Sequence, residues 1–385
     1  MVSQQYTPLP EGWQCKGLVM HFAPHFDEIL AAWILYYFDH VGQKYPGASR
    51  AEHRVRNEQE EMRNGEEVLL RDGYIPLGWG YGRFDEHPDP EHSILRKEDQ
   101  CCATLVAEDL GVREHSCLKG MLDYSLGDDI EGGSNKRHIP YVIQVFHRQK
   151  VEYQVVMQWV YDAIHVKYWD AHRSGSSGND WSIETIAKLM AEQYPDEPSK
   201  AEAWFILGAD ALAEQERRFR EVTALEYEFI RAHTPVKTFI RIGKKGKLKG
   251  RSIPLSIVYA DTSDDQMGNY IRYKGAAVAI IRNLVGQVQI LLNKDCVRYG
   301  LRFDKFIRTL RLEEQKAAGR VTETRSHVLS KEGMLSSDNR WHWFPKAQVI
   351  LNGGFTAPHV EPTRLSIEYI AELIREAFDQ SAEVV

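Results

Sequence analysis

The sequence has no paired cysteine motif, no long apolar run and no excess of basic residues. Its five cysteines show no CxxC spacing, which argues against a disulfide framework and for a reducing compartment. No apolar run is as long as the roughly 18 residues that a membrane-spanning helix needs, and the N-terminus does not resemble a signal peptide. We therefore expect a cytoplasmic protein with no membrane partner. A net charge of −7 disfavours non-specific binding of long duplexes but is compatible with a local basic groove.

The composition is that of a globular protein with a sizeable core. The chain has 385 residues, of which 43% are hydrophobic and 27% charged, and this length predicts two or three domains. We expect an α/β protein with a parallel-sheet metal-bearing domain over 1–199, a helical connector over 200–234 and a smaller α/β domain over 235–385. The active site is expected in the cleft between the two α/β domains.

Local patterns predict the main elements. In the first domain, the polar stretch Ser49–Asn64 predicts an exposed helix, and the apolar residues Val68–Leu70 predict a short buried strand. The second domain is predicted to close with a helix over Leu365–Phe378, capped by Ser366. Further helices and strands are predicted at Gln100–Leu110, His115–Leu126, Thr238–Ile242, Leu255–Ala260, Ala277–Arg282, Gln287–Asn293, Leu301–Ala318 and Ala347–Leu351.

The stretch Leu18–Ala32 reads as a strand, a polar turn and a helix. His21, His25 and Asp27 lie in or next to the turn, at the end of a strand where α/β proteins bind ligands. Two imidazoles and a carboxylate so placed indicate half of a metal site. Two alternatives remain open: an i,i+4 histidine pair on one helix, which Pro24 disfavours, or histidines that only cap the helix or lie on the surface.

Two later segments carry residues of the same type. Asp85, Glu86 and His87 follow a glycine-rich turn, and Asp128 and Asp129 follow a predicted helix beside glycine. If these loops converge, their carboxylates would repel one another unless cations neutralised them. Two divalent ions would serve, and ion pairs of this kind bind both the attacking and the leaving oxygens in phosphoryl displacement.

These three motifs resemble those of the DHH phosphoesterase superfamily, and most closely its melanocyte-proliferating-gene type of exonuclease. The resemblance covers residues 17–133 and implies a DHH-like parallel-sheet domain that uses Mn²⁺. It implies that His21 and His25 bind a first ion and that Asp27 binds a second. Asp85, Glu86 and His87 would occupy the signature triplet.

The resemblance also implies roles within that triplet and beyond it. Glu86 replaces the usual middle histidine as a ligand of the second metal, and His87 would contact the scissile phosphate or protonate the leaving oxygen. Either Asp128 or Asp129 would supply the last carboxylate, with Asp129 preferred.

The sequence departs from the superfamily at the bridging aspartate. Asp72, which follows an apolar segment, could serve, or the equivalent position could be Gly78 or Gly80. Without a bridge the second metal would be weak or absent. Mixed nitrogen and oxygen ligands suit Mn²⁺, Co²⁺, Fe²⁺ or Zn²⁺ better than Mg²⁺.

These motifs predict a metal-dependent phosphodiesterase, specifically a 3′–5′ exonuclease with RNA or short oligonucleotides as substrate. Arg83 and His87 would stabilise the developing charge, although Arg83 could instead be a solvated turn residue. One alternative is a hydrolase of a small nucleotide phosphoester. Another is a catalytically weakened protein that binds nucleic acid or regulates another molecule.

The second domain offers several candidate substrate contacts. A basic turn at 241–251 is either a solvated hairpin tip or a contact to a phosphate backbone. Trp341 and Trp343 could stack on bases or belong to the core. The other candidates are Arg325, His327, Gly353, Gly354 and His359, the last three in one glycine-containing loop.

Overall fold

The computed structural model describes residues 8–39, 44–56, 65–80, 82–87, 99–131, 135–175, 178–335, 340–354 and 360–381. The chain divides into two compact units, the first ending at Gln215 and the second beginning at Glu216. This division falls inside the helical segment that was predicted as a connector. The α/β class is confirmed, with a three-stranded sheet in the first unit and a six-stranded sheet in the second.

The first unit is built on a parallel sheet, as the sequence predicted. Its strands are β1 (Gly17–Met20), β2 (Glu52–Val55) and β3 (Tyr74–Pro76), with β1 in the centre and parallel to both neighbours. All four residues of β1 are buried. Its helices are α1 (Phe26–Phe38), α2 (Gly65–Asp72), α3 (Cys102–Asp109), α4 (Ser116–Glu131), α5 (Ile139–Arg148), α6 (Tyr153–Ser174), α7 (Ile183–Gln193) and α8 (Pro198–Arg217).

Helix α1 lies at the centre of this unit. Every residue from Phe26 to Leu35 is buried, so the helix is surrounded by protein rather than presenting one apolar stripe. Helices α6 and α8 are joined by a pair of tryptophans. Trp159 and Trp204 stack with ring centroids 4.4 Å apart, and each indole N–H donates to the other's backbone carbonyl.

Two predictions for the first unit are wrong. The stretch predicted as an exposed helix contains strand β2 in its described part, and residues 57–64 lie outside the described residues. Backbone pairing with β1 decides this edge strand, whose side chains show no apolar alternation. Val68–Leu70, predicted as a strand, lies in α2, where Val68 is exposed while Leu69 and Leu70 are buried.

The second unit contains a mixed sheet of order β4-β5-β6-β7-β9-β8. Only β5 and β6 are parallel, and the other neighbours are antiparallel. The strands are β4 (Lys237–Ile242), β5 (Ser252–Asp261), β6 (Val278–Arg282), β7 (Val288–Leu292), β8 (His342–Phe344) and β9 (Val349–Leu351). The helices are α9 (Thr223–His233), α10 (Met267–Tyr273), α11 (Phe306–Ala317), α12 (Ser326–Leu329) and α13 (Ile367–Phe378), and a π-helical turn, Arg218–Val222, precedes α9.

Most predicted elements of the second unit are confirmed. Strands β4, β5, β6, β7 and β9 lie where apolar alternation placed them, and the Ser366 hydroxyl accepts a hydrogen bond from the Tyr369 N–H at the start of α13. Strand β8 was missed. Trp341 and Trp343 are fully buried, so they belong to the core and do not stack on bases. None of the helices described here is long and apolar enough to cross a bilayer.

Candidate metal centre

The candidate metal centre lies at the carboxyl edge of the parallel sheet. β1 ends at Met20 and leads through the turn His21–His25 into α1, while β3 ends at Pro76 and leads into the loop that reaches His87. Because β1 and β3 are parallel, both segments leave the sheet at the same edge. Residues of these two segments, which are far apart in the sequence, therefore lie close together at this edge.

Three carboxylates from three separate segments meet there. Oxygens of Asp27 in α1, Glu86 after β3 and Asp129 in α4 lie within 4.8 Å of one another. Asp27 and Glu86 are only 5% and 6% exposed, and Oε2 of Glu86 is buried without a hydrogen-bond partner. A buried carboxylate oxygen without a donor is costly unless a cation contacts it. The residues therefore fit a divalent metal ion.

The electrostatics of this cluster favour a cation. Burial raises the pKa of Asp27, and the charges of Asp129 and Glu86 raise it further. Burial also raises the pKa of Glu86, and the charge of Asp129 adds to that shift. Asp27 and Glu86 therefore both resist ionisation, and a divalent ion bound beside them would reverse this effect.

Two overlapping groups of metal-type side chains extend the cluster. The first consists of His25, Asp27 and Glu28, and the second of Asp85, Glu86 and His87. Asp27 is thus shared by two groups, as is Glu86. The rings of His21 and His87 also pack edge to face, with centroids 6.1 Å apart.

The N-terminus of α3 contacts Asp27 from the other side. The backbone N–H of Cys102, the first residue of α3, donates to Oδ2 of Asp27 at 3.3 Å. The positive end of a helix stabilises a carboxylate in this position. Burial raises the pKa of the neighbouring thiols of Cys101 and Cys102, which favours their protonated form.

Glu28 fixes the two histidines of the first turn. Its Oε1 accepts hydrogen bonds from the backbone N–H and Nδ1 of His21 at 2.8 and 2.9 Å, and its Oε2 accepts one from the His25 N–H at 2.8 Å. Burial raises the pKa of Glu28, but the charge and hydrogen bonds of His21 outweigh it and lower the pKa to about 2. With Nδ1 of His21 held by an anion, Nε2 is the ring nitrogen left for a metal.

Gly78 leaves the space that Glu28 occupies. Its φ is +73°, and a Cβ at this position would lie 2.8 Å from Cγ of Glu28. Both the backbone conformation and the contact therefore require glycine. One glycine of the predicted glycine-rich turn thus supports the histidine pair indirectly.

His87 is held in the same way as His21. Oδ1 of Asp85 accepts hydrogen bonds from the backbone N–H and Nδ1 of His87 at 3.0 and 2.8 Å. Burial lowers the pKa of His87, but the carboxylates of Glu86 and Asp85 outweigh it and raise the pKa to about 10. Asp85 therefore orients the imidazole, and Nε2 of His87 is left for a ligand or a proton transfer.

Two predicted metal residues, Asp72 and Asp128, are not brought into the cluster, and a third, His21, contacts Glu28 and His87 without being a member of any of the three groups. Asp72 ends helix α2 rather than following a strand, and its carboxylate is 57% exposed beside Arg71. Asp128 lies with Asp129 in α4 rather than in a loop, and successive helix positions point about 100° apart. Only Asp129 joins the other carboxylates, which supports the preference for Asp129.

Arg83 takes part in a buried ion pair. Its backbone N–H and its Nε both donate to Oε1 of Glu66, at 2.8 and 2.9 Å, and its guanidinium donates to the Tyr45 hydroxyl. The Arg83 and Glu66 side chains are only 11% and 12% exposed. This pair joins the loop after β3 to α2, so Arg83 is not the solvated turn residue of the alternative reading. These contacts do not support a catalytic role.

The predicted substrate residues belong to the second unit. Gly353 and Gly354 follow β9 with φ of +69° and +141°, and the side chain of the preceding Asn352 is buried and hydrogen-bonded to the backbone. His359 lies outside the described residues. Arg325 is exposed and paired with Glu323, and His327 is exposed in the short helix α12.

Sequence reasoning missed the role of Glu28. The signal was present, because Glu28 stands three residues after the helix-capping position His25, the spacing at which a glutamate reaches back to the cap. The second task of Glu28, holding the His21 ring, depends on the path of the turn and is not visible in the spacing.

Comparison with known proteins adds no assignment. No protein family matches the chain, and no curated protein matches it. One solved structure, described as the crystal structure of an uncharacterized protein from Helicobacter pylori G27, aligns over 74% of this chain and 87% of that chain with 11% identity and a TM-score of 0.24. A similarity this low supports no inference about fold or activity.

Proposed function

We propose that this protein is a divalent-metal-dependent phosphodiesterase, specifically a 3′–5′ exonuclease that acts on RNA or short oligonucleotides in the cytoplasm. The observation that carries the proposal is the meeting of Asp27, Glu86 and Asp129 within 4.8 Å. The motif resemblance to DHH phosphoesterases supplies the reaction class. The geometry supplies a cluster that fits the metal this class uses.

The residues that would hold the ions are oxygen and nitrogen donors. The carboxylates of Asp27, Glu86 and Asp129 would be the main ligands, with Nε2 of His21 and the ring of His25 completing the set. This mixture suits Mn²⁺, with Co²⁺, Fe²⁺ or Zn²⁺ as substitutes. When bound, such ions would polarise the phosphate ester and neutralise charge that develops on its oxygens.

Asp27 is our candidate for the bridging ligand that the sequence lacks at its usual place. It belongs to two of the overlapping groups, one with His25 and one with Glu86 and Asp129. A carboxylate can contact two ions through its two oxygens. We therefore propose a site for two ions without any role for Asp72.

His87 is the candidate general acid. Asp85 holds its Nδ1, so Nε2 remains for the substrate, and the surrounding carboxylates favour the protonated ring. A protonated imidazole at the scissile bond would donate its proton to the leaving oxygen.

The test uses end-labelled RNA, DNA and short oligonucleotides, each with Mn²⁺ or with a chelator. Wild-type protein should shorten labelled RNA from its 3′ end only with metal. Asp129→Asn should abolish both cleavage and Mn²⁺ binding. Asp128→Asn is the matched control, because it removes the same charge from the adjacent position of α4, and it should retain both.

Other outcomes would contradict the proposal in distinct ways. Cleavage that persists in chelator, or in Asp129→Asn, would remove the metal centre. Hydrolysis of mononucleotide esters with little dependence on salt would indicate the small-phosphoester alternative. Purified protein that binds no divalent metal would indicate a binding or regulatory protein instead.

A further inference from the structure

The loop between β4 and β5 concentrates positive charge. This basic loop, residues 243–251, carries five exposed cations, none of which forms an ion pair within the part of the chain that the structure describes. They are Lys244, Lys245, Lys247, Lys249 and Arg251. The whole chain carries a net charge of −7, so this cationic surface stands apart from the average.

The basic loop is a folded structure. The Gly243 N–H donates to the Arg251 carbonyl at 2.9 Å, and the Gly250 N–H donates to the Gly243 carbonyl at 2.8 Å. A Cβ on Gly243 would lie 2.0 Å from the Leu248 carbonyl oxygen, so only glycine allows this closure. Leu248 packs against the core of the second unit. The fold therefore holds the cations near one another despite their repulsion.

The base of the basic loop is also anchored. The buried guanidinium of Arg241 donates to the carbonyls of Phe378 and Gly300, each at 3.1 Å. A Cβ on Gly300 would lie 2.9 Å from Cδ of Lys244, so the Lys244 stem crosses that glycine. Arg298, which precedes Gly300 by two residues in the sequence, is also exposed. Arg241, by contrast, is a structural residue of the hairpin.

We propose that the basic loop binds the sugar-phosphate backbone of single-stranded RNA. The proposal rests on the polynucleotide substrate of the proposed function and names a surface of the second unit that would bind the strand. Lysines are compact point charges that contact phosphates without reading sequence, and successive phosphates can pair with successive lysines. An anionic membrane fits less well, because the apolar residue Leu248 faces the core and the loop has no apolar anchor for lipid.

The experiment measures binding of the full-length protein to a fluorescent oligouridylate by anisotropy, in chelator, over a series of salt concentrations. Lys247→Gln/Lys249→Gln should weaken binding and make the slope of log K against log salt shallower by about 1.4, from about 0.7 per phosphate contact. The control, Lys274→Gln/Lys346→Gln, removes two exposed lysines elsewhere in the same unit and should leave the slope unchanged.

The outcomes separate this proposal from the proposed function. Equal slopes for the loop variant and wild type would overturn the proposal, as would a loop variant that loses only binding to phosphatidylserine vesicles. Cleavage of a dinucleotide with Mn²⁺ is assayed in parallel. Oligouridylate binding that depends on the loop, in a protein that cleaves nothing, would support the loop proposal and contradict the enzyme.

Discussion

Glu28→Gln is the most informative single change in the candidate metal centre. The wild-type carboxylate accepts three hydrogen bonds, two from His21 and one from the His25 N–H. The glutamine has the same shape but only one acceptor oxygen. Its amide would place N–H groups against either His21 or His25, and the anion that holds the His21 ring would be lost.

The expected size of the effect follows from these contacts. Losing one charge-assisted hydrogen bond and leaving its buried donor unpaired costs about 2 kcal/mol. Removing the partner that orients a metal-binding histidine lowers metal affinity by about 10- to 100-fold. We therefore expect a lower midpoint of thermal unfolding in chelator, together with weaker Mn²⁺ binding by the protein that remains folded.

Mn²⁺ affinity is measured by isothermal titration calorimetry on metal-stripped protein, and unfolding is measured in chelator. Glu67→Gln is the matched control, because Glu67 is an exposed glutamate in the first turn of α2. His21→Ala and the double variant complete a mutant cycle. Once His21 is absent, the Glu28 substitution should weaken Mn²⁺ binding less than it does in wild type.

Two results would refute this reasoning. One is a folded Glu28→Gln protein with wild-type Mn²⁺ affinity. The other is strict additivity in the cycle, which would mean that Glu28 acts independently of His21.

Three further predictions concern the first unit. Gly78→Ala should lower both the unfolding midpoint and the Mn²⁺ affinity, because its Cβ would displace Glu28. Gly80→Ala is the control, since Gly80 also has a positive φ but its Cβ would lie 3.8 Å from the nearest atom, and it should lower only the midpoint. Equal Mn²⁺ affinities for the two variants would contradict this prediction. Arg83→Met should destabilise the fold by about 3 kcal/mol because it leaves the Glu66 carboxylate without its cationic partner. Glu66→Gln/Arg83→Met should recover part of that loss in denaturant titrations, and full additivity would argue against the pair. Hydrogen bonds from the Thr185 hydroxyl and the Ser182 N–H lower the pKa of Asp180 to about 2, so the ionised carboxylate stabilises the fold at pH values above its ordinary pKa of 3.8. This stabilisation disappears as the pH falls from 3.8 towards 2. The difference in unfolding midpoint between wild type and Asp180→Asn should therefore shrink over that range, and a constant difference would refute the assignment.

Local sequence signals were sufficient where short-range patterns decide the structure. In the second unit, apolar alternation located β4 to β7, and Ser366 marked the start of α13. The prediction failed where tertiary pairing overrides local preference. Strand β2 is polar and lies at the sheet edge, so only its pairing with β1 identifies it. Val68–Leu70 are three adjacent apolar residues, a pattern that does not separate a strand from a buried helix.

The sequence by itself determined which metal-type side chains exist and that they follow strands or accompany glycines. His21, Asp27 and Glu86 could be named because strand ends and turns are local signals. Which of them meet was decided by the tertiary structure. The parallel pairing of β1 and β3 aims two loops at one edge of the sheet, and the direction of α4 brings Asp129 rather than Asp128 to the cluster. Distances between residues far apart in the chain depend on the packing of whole elements, and no short segment contains that information.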